Sequence, residues 1–73
     1  MDRAVAEKLM AVYARLGDLL NEATEIVGTM SDEEERKVIR RPLGAIMAVV
    51  WGDLQLPIVR QHPDLDPDGE RYR

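Results

Sequence analysis

The stretch HPDLDPDG, residues 62–69, places three carboxylates, Asp64, Asp66 and Asp68, at alternate positions with Gly69 directly behind them. Alternate side chains can turn their oxygens towards one point, and a hard cation such as calcium gathers about six to eight oxygens of this kind around a glycine-assisted bend. His62 offers a nitrogen beside them, but with no second histidine in the chain it serves the negative end of a helix better than it serves a metal.

Over its six residues DLDPDG resembles the opening of an EF-hand calcium loop, in which Asp64, Asp66, Asp68 and Gly69 fill the first, third, fifth and sixth places. The bidentate glutamate that closes such a loop would fall at position 75, beyond residue 73. Pro67 stiffens the fourth place and no exiting helix follows. Residues 63–73 are therefore expected to form an acidic, proline-containing tail of turns, with Asp64, Asp66 and Asp68 as a weak calcium candidate. No cofactor is expected.

Asp53 is the one charge among residues 42–59. A lone carboxylate in an apolar segment must be paired, protonated or turned to the rim, and catalysis would need a second positioned group that the sequence does not nominate. No catalytic residue is assigned, and the chain is read as a non-enzyme. The basic residues gather in one cluster, Arg36, Lys37, Arg40 and Arg41, on one side of a helix, where they offer a surface to an acidic protein or a phosphate backbone. Glu33, Glu34 and Glu35 directly upstream dilute that field. The net charge of -4 and the lack of interleaved aromatics weigh against nucleic acid, which remains the less favoured partner class.

These groups need elements to hold them. Val5, Leu9, Val12, Leu16, Leu19, Ala23, Ile26 and Met30 alternate spacings of four and three, the pattern of a helix whose apolar seam meets another helix. Ala6, Tyr13, Leu20 and Val27 add a stripe at intervals of seven and widen the face towards bundle packing. Helix 1 is expected over about 2–27. Gly28 suits a left-handed helix end, residues 28–31 form a tight turn, and Ser31 with Glu34 reads as a capping box for the next helix. Glu33 and Lys37 have favourable i,i+4 spacing.

Helix 2 is expected over about 32–62. Ile39, Leu43, Ile46 and Val50 keep phase across Pro42, which favours one helix kinked there over two separate helices. Leu54 to Ile58 keeps phase across Pro57, and Pro63 stops the helix. The segment from Pro42 to Val59 is apolar around most of its circumference and reaches the lower length for a membrane span. Asp53, Gln55, two prolines and a strongly amphipathic partner helix argue against a span.

The expected fold is thus an all-α antiparallel hairpin, with residues 1–62 as the folded domain and 63–73 as its tail. With 73 residues and no cysteine, neither a large core nor a disulfide is open to it, and one histidine excludes the usual zinc site. Oligomerisation remains as the source of stability, so two copies are expected to pair into a four-helix bundle. The expected dimer core is Leu9, Val12, Leu16, Leu19, Leu43, Ile46 and Val50, together with the small-residue strip Gly44, Ala48 and Gly52. Arg36, Lys37, Arg40, Arg41 and Trp51 are the candidate surface for a further protein partner. The cysteine-free composition and an N-terminus unlike a signal peptide fit the cytoplasm, and no membrane partner is expected.

Overall fold

The computed structural model describes residues 1–67. The expectations that fall on Asp68, Gly69 and the rest of the tail lie outside these residues. The architecture is all-helical: α1 (Arg3–Gly28) turns back into α2 (Glu33–Gln61), and the two run antiparallel as a hairpin. A short 3₁₀ turn, Pro63–Leu65, follows α2. The molecule measures 45 × 22 × 17 Å, about two helices wide and little more than one helix deep. Its radius of gyration, 14.8 Å, exceeds the roughly 11 Å of a compact chain of this length.

The turn is built differently from the sequence expectation. Gly28 is the last residue of α1, and no glycine among the described residues has positive φ. Thr29 closes the helix instead. Its N–H donates to the Ile26 carbonyl at 3.0 Å and its hydroxyl to the same carbonyl at 2.6 Å, while the Met30 N–H donates to the Val27 carbonyl at 3.0 Å. The N-cap of α2 is Asp32, not Ser31. Its carboxylate accepts the N–H groups of Glu34 and Glu35 at 2.9 and 3.3 Å, meeting two of the donors that a helix start leaves open. Glu33, Glu34 and Glu35 fill the first turn, where negative charge complements the helix dipole. Lys37 pairs with Glu34 at 3.9 Å, one residue short of the expected Glu33.

The first stretch of α2, Glu33–Val49, passes through Pro42 without a break. Pro42 is exposed, so the Val38 carbonyl that loses its donor there can be hydrated. Pro57 is handled another way. The six residues before the final stretch, Val50–Gln55, form a π-helical segment, and the Leu56 N–H bonds the Trp51 carbonyl five residues back. Widening the helix just ahead of Pro57 makes room for the Asp53 carbonyl that its ring would crowd.

The wide segment also re-phases the helix. At about 100° per residue, Ile58 and Val59 would point roughly 130° away from Val50 in an uninterrupted α-helix. The extra residue absorbed by the π-segment turns them back, and Val50, Ile58 and Val59 are all buried. Ile58 and Val59 close on Ala6 and Met10 of α1, with Leu9, Tyr13, Trp51 and Leu65 packed around them. This cluster, at the end where Met1 meets the last residues of α2, is the core of the hairpin.

Candidate interaction surface

The buried set on α1 is Ala6, Met10 and Val27, with Tyr13 and Leu20 half-buried, so the contact with α2 follows the second of the two sequence stripes. The i and i+7 members of the first stripe point away from it. Val5, Val12, Leu19 and Ile26 are all exposed, Leu19 and Ile26 by 62 % and 63 %. On α2, Val38 is 72 % exposed, and Ile39, Ile46 and Val49 are open as well. Side chains of this size cost free energy in water in proportion to their exposed apolar area, and here they recur along both helices instead of being scattered singly.

At the turn end these residues border an open groove of about 340 Å³, lined by Met30, Val38 and Ile39 with Glu34 and Glu35. Its walls supply two carboxylates and no partner acid, base or nucleophile. Among the described residues no group of three His, Cys, Asp or Glu side chains lies close enough to hold a metal ion.

The expected dimer-core residues divide in three. Val50 is buried inside the hairpin, and Leu9 packs against its core cluster, so both serve the single chain. Val12, Leu19, Ile46, Gly44 and Ala48 are exposed, while Leu16, Leu43 and Gly52 are half-buried. A Cβ placed on Gly44 or Gly52 meets no heavy atom within 4 Å, so neither glycine is required by packing within the chain.

Lys37, Arg40 and Arg41 are exposed and Arg36 is half-buried. Arg36, Arg40 and Arg41 have no acidic partner within 4.0 Å among the described residues. Trp51 is half-buried against the core cluster, apart from this basic patch. Asp53 is exposed, which accounts for a charge within so apolar a segment.

The start of the tail is docked. Arg3 donates through Nη1 to Asp64 Oδ1 at 3.2 Å and through Nη2 to Asp64 Oδ2, while its Nε donates to Glu7 Oε1 at 3.0 Å. The hydrogen bond from Arg3, reinforced by its charge, holds the Asp64 carboxyl below its ordinary range against a smaller opposing effect of burial. Leu65 packs against the core cluster, and Asp66, which ends the 3₁₀ turn, is buried. His62 Nε2 donates to the Met1 carbonyl at 3.2 Å, and the Met1 amine donates to Gln61 Oε1 at 2.8 Å. Of the calcium candidates, Asp64 is thus already held by an arginine.

The pairing of Arg3 with Asp64 spans 61 residues, and local pattern carries no signal for it. Comparison with protein-family models, with curated proteins and with solved structures finds no match.

Proposed function

We propose that this chain is a noncatalytic protein-interaction or regulatory module of the cytoplasm that works as a homodimeric four-helix bundle. The observation that carries this reading is the row of large apolar side chains left in water along both helices, Leu19, Ile26 and Val38 above all. One hairpin leaves this row uncovered, and a second copy brings an equal and complementary supply. Small domains without disulfide or metal staples commonly find their stability in this way. The charged surface left outside, with Arg40 and Arg41 at its centre, is then available to a further protein partner.

Sedimentation at micromolar concentration tests the reading. A species near twice 8.3 kDa is expected, and a folded species of 8.3 kDa at every concentration would refute it.

A second reading, a nucleic-acid-binding regulator, draws on Arg36, Arg40 and Arg41, which have no acidic partner within 4.0 Å among the described residues. Replacing these three and Lys37 by glutamine separates the two. Salt-dependent RNA or DNA binding that disappears in the variant supports the second reading, and absence of binding at low salt removes it.

A further inference from the structure

The exposed stripes of the two helices belong to one surface. On α1, Val5, Val12, Leu19 and Ile26 are centred roughly 120° back from the inward-facing Ala6, Met10, Tyr13 and Val27, counting about 100° per residue. On α2, Val38, Ala45, Ile46 and Val49 lie back by a similar angle from the inward-facing Leu43, Met47 and Val50. Antiparallel helices reverse the rotational sense in space while facing each other. Equal offsets therefore bring both stripes to the same broad side of the hairpin. The same count puts Glu7, Asp18 and Glu25 of α1 on the opposite broad side with Lys37, Arg41, Gly44 and Ala48 of α2.

We infer that the apolar broad side is the dimer interface, its occupant is a second copy of this chain, and the Gly44–Ala48 strip faces outward with the charged side. This rests on the homodimer reading and specifies its surface.

Two observations favour a second copy over other occupants. The seven large apolar residues of this side, with Ile39 at its inner edge as an eighth, expose roughly 700 Å², close to the ~800 Å² that each partner contributes to a standard stable interface. Their spacing also repeats at seven residues, 5, 12, 19 and 26 on α1 and 39 and 46 on α2, which is the period for packing helix against helix. A lipid surface asks only for bulk apolarity and not for a seven-residue repeat, and the basic residues of α2 follow directly on Glu33, Glu34 and Glu35, so the flank of the apolar side carries mixed charge. The groove beside Val38 and Ile39 gives a partner's side chain a hole to enter.

The test uses the full chain in three measurements. In sedimentation, Leu19→Glu and Ile26→Glu are expected to raise the dimer dissociation constant at least 100-fold, and Gly44→Leu to leave it within about threefold. Because a glutamate variant could unfold, cysteines are placed singly at Val12 and at Ala48 in a chain that has none of its own. In the dimer, Val12→Cys should react with a thiol reagent at least tenfold more slowly than Ala48→Cys. A dimer weakened by Gly44→Leu but not by Leu19→Glu, or protection at Ala48→Cys in place of Val12→Cys, would overturn the choice of face and leave the homodimer standing. A wild-type monomer would overturn the homodimer itself. A monomer that partitions onto neutral phosphatidylcholine vesicles would replace the second copy by lipid.

Discussion

At the end of the hairpin where Met1 meets the last residues of α2, Ala6, Met10, Ile58 and Val59 are each no more than 7 % exposed, whereas at the turn end Val27 alone is buried, beside Ile26 at 63 % and Val38 at 72 %. The same two helices build both ends. The difference is a third layer: after Gln61 the chain folds back, Leu65 covers the cluster, and Arg3 clasps Asp64. Two helices touch along one line each, and a side chain next to that line stays wet unless something else covers it. The inner cluster of the terminal end finds its cover within the chain, and the exposed broad side, most open towards the turn, finds it in the proposed second copy.

This contrast can be broken from either side. The largest effect is expected at the closed end, where Ile58→Ala removes buried methyl and methylene groups and should cost about 2–5 kcal/mol. For so small a domain that is a large share of the total, so urea melts should show an early transition, displaced to the same extent at every protein concentration. Ile26→Ala sharpens the comparison because its sign depends on assembly. In an isolated hairpin the exposed isoleucine contributes little, and alanine, the better helix former, should raise stability by a few tenths of a kcal/mol. In the dimer the same change should lower the thermal midpoint, with the loss growing as protein concentration rises.

The two helices, the short turn and the passage of α2 through Pro42 are legible in the sequence because each rests on local pattern or chain propensity. Which apolar stripe faces inward is not. Val5, Val12, Leu19 and Ile26 are as apolar as Ala6, Tyr13, Leu20 and Val27, and the choice is made by what α2 presents across the gap. Alanine at position 6, fully buried, lets Ile58 and Val59 approach closely, a fact about size that a hydrophobic pattern does not weigh. Ser31 and Asp32 compete for one cap, and Asp32 prevails with a carboxylate that accepts two N–H groups. The π-segment is hidden for a related reason. Pro57 signals a disturbance, but only the demand that Ile58 and Val59 face α1 selects a wider turn over a kink.

The tail is legible by composition and not by position. Its alternate aspartates suggest a cation, but Asp64 is engaged by an arginine from the opposite end of the sequence.

Smaller effects fall on the connections between the two ends. Asp32→Ala removes the cap of α2 and should cost about 1 kcal/mol, which for a domain of this size lowers the thermal midpoint by about 4–8 °C. The smallest effect belongs to the clasp, whose partners are both exposed. Asp64 has a folded-state pKa below its ordinary 3.8, so its contribution is complete above that value and is lost as the pH falls through the lower folded value. The protection factors of the Leu65 and Asp66 amides, taken relative to intrinsic exchange at each pH, should therefore fall in acid before the helices melt. Asp64→Asn should reproduce that loss of protection at neutral pH with little change in the global midpoint.

Completion of the turn end by another copy of the same chain is tested most directly by sedimentation velocity of the unmodified protein from nanomolar to high micromolar concentration. A reversible shift from 8.3 kDa to twice that mass is expected, with the thermal midpoint rising over the same range. A single 8.3 kDa species, fully helical and with a midpoint independent of concentration, would contradict the dimer.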